Sequence, residues 1–88
     1  MEDYTIQTAD QLKHIIAGFR KSADLTQDDL AMRLGVAQQT YSTSERNAAN
    51  MSVTKLLTIL NALDVELVLR PKSMKVPLTN SDMKPAQW

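Results

Sequence analysis

Gln38 and Gln39 are the residues of this sequence whose type and placement point most directly to recognition chemistry. A glutamine amide carries one donor face and one acceptor face, and the pair matches the donor and acceptor that adenine displays in the DNA major groove. Thr40, Ser42 and Thr43 follow at once, with hydroxyls suited to phosphate oxygens or base edges. Gln27 opens an earlier helical run, where unpaired backbone N–H groups attract a phosphate oxygen. Arg33 and Arg46, with Lys21 nearby, carry the positive charge that phosphate contacts require.

Catalytic chemistry has no comparable support. The chain has no cysteine and a single histidine, His14, placed between apolar positions and assigned no role. A phosphate-cradling Gly-rich loop is missing, as is a carboxylate pair framed by apolar walls, so the expectation is a non-enzyme without cofactor or metal. Ten Lys and Arg balance ten Asp and Glu, which leaves zero net charge. A nucleic-acid binder ordinarily carries a basic patch, so any DNA-facing field must come from the placement of charges. The N-terminus, Met1-Glu2-Asp3-Tyr4, is acidic where a signal peptide is basic, and no apolar run approaches membrane length, so a cytoplasmic protein without membrane contact is expected.

The elements that position these side chains follow from periodicity. Thr8 and Gln11 have capping-box spacing, and Leu12, Ile15, Ile16 and Phe19 recur at helical intervals, which predicts a first helix over 9–21. Thr26 can cap the N–H of Asp29, and Asp28 and Asp29 suit the positive end of a helix. Leu25 can staple onto Leu30, and Gly35 suits a left-handed terminus, so the second helix has only about two turns. Past the Leu34-Gly35-Val36 turn, residues 38–46 form a third helix with Tyr41 inward and Gln38, Gln39, Ser42 and Thr43 outward. Ser52 caps a fourth, whose apolar stripe is Val53, Leu56, Leu57, Leu60 and Leu63.

The period changes at Val65. Val65, Leu67 and Leu69 alternate with Glu66, Val68 and Arg70 up to Pro71, as in a strand with one buried face. A lone strand needs a partner for its backbone groups, and pairing with the same strand of a second subunit supplies one. A core this small, without disulfide or metal, also gains from oligomerisation. The expected architecture is mostly α: a four- to five-helix helix-turn-helix domain over 1–70, with a C-terminal strand in an intersubunit two-stranded sheet. Residues 71–88, with three prolines, three lysines and one acid, read as a flexible tail. Trp88 ends it, and Trp is enriched among interface anchors.

The run Leu25-Thr26-Gln27-Asp28-Asp29-Leu30-Ala31-Met32-Arg33-Leu34-Gly35-Val36 resembles the core signature of the Cro/repressor-type (XRE) helix-turn-helix family. The likeness continues through Gln38, Gln39, Thr40, Glu45 and Arg46 into the 52–63 helix, and covers roughly residues 9–64. The strand in place of a fifth helix, the short polar tail and the closing Gln87-Trp88 resemble, more narrowly, antitoxins that pair with a HipA-like serine/threonine kinase toxin. That resemblance implies a homodimer that binds palindromic operator DNA, represses its own operon and restrains the kinase, with Trp88 as a toxin contact. Two other functions remain open: a stand-alone small repressor, or an interaction module that has lost DNA binding. The sequence departs from the family pattern at Ala37, where a Ser cap is usual, and at Ser44, where an apolar residue is usual. Both are expected to weaken the third helix, and Asn47 stands where Gly is common, asparagine being a residue that tolerates a left-handed backbone.

Overall fold

The computed structural model describes residues 3–72. Four α-helices follow one another, α1 (Gln11–Ser22), α2 (Gln27–Leu34), α3 (Gln38–Arg46) and α4 (Val53–Ala62), with a 3₁₀ turn at Ala48–Asn50 between the last two. Ile16, Leu30, Tyr41 and Ile59, one from each helix, form the fully buried centre, with Ala31, Ala48, Leu60 and Leu63 around it. Each large side chain so buried contributes roughly 1.5–3 kcal/mol. Among the described residues no helix is long and apolar enough to cross a membrane.

Local signals set the helix starts. Thr26 Oγ1 accepts from the Asp29 N–H at 3.0 Å while Asp29 Oδ2 accepts from the Thr26 N–H at 2.9 Å, a closed capping box. Ser52 caps α4 by accepting from the Lys55 N–H at 3.1 Å. At α1 only the glutamine arm forms: Gln11 Oε1 accepts from the N–H groups of Gln7 and Thr8. The helix begins two residues later than expected because Asp10 takes the cap position.

The helix ends share a device that the sequence reveals at only one of them. Gly35 is left-handed, as expected, and the Val36 N–H reaches back to the Ala31 carbonyl at 3.0 Å. Asp24 and Asp64 adopt the same left-handed conformation, with φ of 64° and 61°. There the Leu25 and Val65 N–H groups return to Arg20 and Leu60 at 3.1 and 2.9 Å. Each motif places an apolar residue just past the left-handed one; Leu25 and Val65 pack against the core, whereas Val36 stays exposed. Asn47 does not take this role: its φ is −104°, and the chain passes from α3 directly into the 3₁₀ turn.

Two further expectations, on the α4 stripe and on Ser44, are corrected. Ile59, outside the expected stripe of α4, is buried, while Val53 and Leu57 within it are 67% and 40% exposed. The Ser44 hydroxyl is not stranded; it donates to the Thr40 carbonyl at 3.0 Å, one turn back. Residues 65–70 carry no ladder within the single chain: Val65 packs against the core, whereas Leu67 and Leu69 lie exposed. The N-terminal segment passes close by, with Asp3 3.9 Å from Arg70 and the Tyr4 ring edge-on to Phe19 at 5.2 Å. Most of the tail, with Trp88, lies outside the described residues.

Candidate nucleic-acid interface

Helix α3 offers two faces. Tyr41 and Glu45, four residues apart, point inward and are buried; Gln39, Thr43 and Arg46 share the outer side, where Arg46 Nη2 meets Thr43 Oγ1 at 3.4 Å. Gln38, Gln39 and Thr40 are exposed, and Ser42 and Thr43 are half-buried. The expected reading edge is therefore gathered on one element. No side chain caps its start at Ala37, so the helix must be fixed in another way.

The fixing group is Glu45. Arg20 of α1 grips its carboxylate with two donors, Nε to Oε2 at 2.9 Å and Nη2 to Oε1 at 3.2 Å. Tyr41 donates its hydroxyl to Oε2 at 2.6 Å, and Gln27 of α2 donates Nε2 to Oε1 at 3.0 Å. The remaining Arg20 donor, Nη1, reaches the Leu25 carbonyl at the entrance to α2, at 2.9 Å. One carboxylate thus ties α1, α2 and α3 together, and no buried side-chain polar atom among the described residues lacks a partner.

Such a cluster is stable only when fully bonded, because an unpaired charge in low dielectric is costly. Burial alone would push the Glu45 carboxyl up; the hydrogen bonds from Arg20, Tyr41 and Gln27 outweigh it and hold the group below its ordinary value. Burial pushes the Tyr41 hydroxyl up, and its bond to Glu45 pushes the same way. The cluster accordingly holds a carboxylate, a guanidinium and a neutral phenol across the physiological range.

The other expected site residues divide. Gln27 and Gln38 line one surface hollow of about 470 Å³, which also holds Lys21, so the starts of α2 and α3 meet there. Gln27 has one amide N–H committed to Glu45, which fixes the side chain and leaves its second amide N–H and the helix-start N–H groups for a phosphate. Arg33 turns elsewhere: its Nη1 donates to the Ala62 carbonyl at 3.1 Å, closing the last turn of α4. Arg20 and Glu45 have functional weight that sequence reasoning missed. The signal was present, since Arg20 lies four residues after Ile16 and Glu45 four after Tyr41, each a charge on a buried stripe that demands an opposite partner.

Comparison with known proteins agrees with this arrangement. The chain matches the helix-turn-helix family over residues 16–69. Antitoxin HipB of Escherichia coli O6:H1 is 33% identical over 64 residues, which cover 73% of this chain and 68% of that protein. A solved HipB–O1–O2 complex superposes with a TM-score of 0.69 at 29% identity, covering 78% of this chain and all of the HipB chain. A solved HipA–HipB–O2–O3 complex gives 0.69 at 28% identity, with 81% and 100% covered. With the two-helix motif closed by Gly35 and the outward-facing glutamines of α3 in place, the chain belongs to the Cro/repressor-type helix-turn-helix family, among the relatives of antitoxin HipB.

Proposed function

We propose that this protein is a sequence-specific DNA-binding antitoxin and autorepressor. The observation that carries the reading is the exposed edge Gln38-Gln39-Thr40 on a helix locked by the Glu45 cluster, in a fold shared with HipB in complexes that we read as operator-bound. A helix so presented enters the major groove with its N-terminal residues at base edges. Gln38 and Gln39 read bases; Thr40, Ser42, Thr43 and Arg46 contact bases or phosphate; and the start of α2 at Gln27 takes a backbone phosphate. Arg33, closing α4, has the weakest claim.

The active form is a homodimer. Leu67 and Leu69, 45% and 91% exposed, lie in the 65–70 segment, which has no ladder partner in its own chain, and pairing as a strand with the same segment of a second subunit covers them along with Val65. Two copies of α3 then face successive major grooves about 34–36 Å apart, so the operator is a palindrome. The 1–70 unit binds DNA and dimerises, and the 71–88 tail with Trp88 docks on a HipA-like serine/threonine kinase toxin, which the antitoxin neutralises.

The test combines sizing with gel retardation on DNA from upstream of the protein's own gene. A dimer that prefers this duplex to a random one, and that loses kinase binding but not DNA binding when residues 72–88 are deleted, bears the proposal out. A dimer that binds DNA and has no toxin partner identifies a stand-alone repressor. A protein indifferent to DNA identifies an interaction module.

A further inference from the structure

A second hollow, of about 380 Å³, lies at the opposite end of α3 from Gln38. Lys13 and His14 of α1, Arg46 at the end of α3, and Asn47 and Asn50 of the following turn line it, together with Asp10. Its polar side chains come from three separate elements and, Asp10 apart, each can donate a hydrogen bond, with Ala49 as the one apolar lining residue. Such a set fits a ligand rich in acceptors and poor in donors, and a phosphodiester is one.

The position of the hollow specifies which phosphodiester. From Gln38 to Arg46 the helix rises about 12 Å, which matches the roughly 12 Å width of the major groove. A helix that reads bases at its start therefore brings its end beside the sugar–phosphate strand bordering the groove. Arg46 lies on the same exposed side as Gln39 and Thr43, so the reading edge continues into the hollow. We propose that Lys13, His14, Arg46, Asn47 and Asn50 form a clamp for a DNA backbone phosphate flanking the bases read by α3, and that Asp10 moderates its affinity. This rests on the DNA-binding function proposed above and extends the contact surface to Lys13 and His14 of α1, which carry no other role.

Lys13 and His14 are exposed, and the Asp10 side chain makes no cap bond, so substitutions at all three spare the fold. The test measures affinity for the upstream duplex and for a random duplex, at several salt concentrations, for wild type, Lys13→Ala, His14→Ala and Asp10→Asn. Loss of the Lys13 contact is expected to reduce the magnitude of the log–log salt slope by about 0.9, equally on both duplexes. His14→Ala weakens both about two- to tenfold, the worth of one hydrogen bond, and Asp10→Asn tightens both. Replacing single phosphates of the upstream duplex by neutral methylphosphonates then locates the contact, as the one position where substitution hurts wild type and not Lys13→Ala.

If wild type prefers the upstream duplex and all three variants bind it with unchanged affinity and slope, the clamp is wrong while DNA binding stands. Unchanged DNA binding with weakened kinase binding likewise overturns it and assigns the hollow to an acidic protein surface. If wild type retards no duplex, the DNA-binding reading fails first and the clamp with it.

Discussion

Helices α2 and α3 are nearly equal in length and adjacent in the chain, yet they are secured in opposite ways. The devices that set the two ends of α2 are local: a capping box at Thr26 and Asp29, acidic residues in the first turn and a glycine in the left-handed region at its end. Helix α3 begins at Ala37 without a side-chain cap and ends at Asn47 without a left-handed residue. Its fixing groups come from elsewhere and meet near its C-terminal end, namely Arg20 from α1 and Gln27 from α2 on Glu45. The teaching is that the scaffold helix has autonomous ends, whereas the reading helix depends on a polar cluster that forms only when three helices are already together. Recognition geometry is thereby coupled to the tertiary fold.

The largest test of this contrast is Glu45→Ala. It leaves the Arg20 guanidinium, in a residue only 8% exposed, without its carboxylate. Removing one partner of a buried pair costs about 3–5 kcal/mol, against a total of roughly 4–13 kcal/mol for a chain of this size. Urea denaturation should show most of the stability lost, and any protein still folded should bind DNA poorly at every sequence. A loss under about 1 kcal/mol would mean that α3 is held by Tyr41 packing and not by the cluster. The pH dependence has a definite sign. The folded Glu45 carboxyl titrates below its ordinary 4.5, so its contribution is complete above that value and drains as pH falls through the lower folded one. Tyr41 acts at the other limb, its contribution being complete below the ordinary 10.0 and lost at higher pH. Wild type should therefore be flattest in stability between these limits. The acid limb should shrink in Glu45→Gln and persist in part, because Asp29 is also held below its ordinary value by the Thr26 N–H and hydroxyl.

The same contrast explains what could be read in advance. Helix α2 was legible nearly in full, because its determinants are sequence neighbours with known spacings: Thr26 with Asp29, Leu25 with Leu30, and Gly35. The extent of α3 was legible too, from the Leu34-Gly35-Val36 turn before it and the inward Tyr41. What fixes α3 was not, since Arg20 and Glu45 are 25 residues apart and periodicity only says that each points inward. The left-handed ends at Asp24 and Asp64 escaped notice for a related reason: aspartate tolerates that conformation without announcing it as glycine does. Val53 and Leu57 were placed in the core on periodicity alone, which identifies an apolar face but not whether the same chain covers it.

On the α2 side the expected effects are smaller, because each local device acts alone. Gly35 has a φ of 73° with nothing within 4 Å of the position a Cβ would occupy, so Gly35→Ala costs only the left-handed strain, about 1–2 kcal/mol. A greater loss in urea denaturation would show that the turn to α3 has shifted as well. Thr26→Ala removes the acceptor for the Asp29 N–H and should cost about 1 kcal/mol, with base preference unchanged in competition gel shifts. A change in base preference would mean that the α2 start and the reading edge are coupled more tightly than Gln27 alone provides.

The smallest effect gives the sharpest comparison, because it supplies α3 with the cap that α2 already has. Ala37 has φ −71° and ψ 150°, close to the values at Thr26 and Ser52, both of which cap. Ala37→Ser therefore needs no backbone change for the introduced hydroxyl to accept from the Thr40 N–H, and should add about 0.5–1 kcal/mol, seen as a raised urea midpoint at constant m-value. Ala37 and Glu45 lie about 12 Å apart along the helix, beyond the range at which side chains usually couple. In the double variant Ala37→Ser with Glu45→Gln, the two changes should add to within about 0.5 kcal/mol. Additivity would mean that local capping and the tertiary cluster hold opposite ends of α3 independently. A cap whose benefit disappears without the Glu45 charge would mean that the reading helix is ordered as one unit from its buried end.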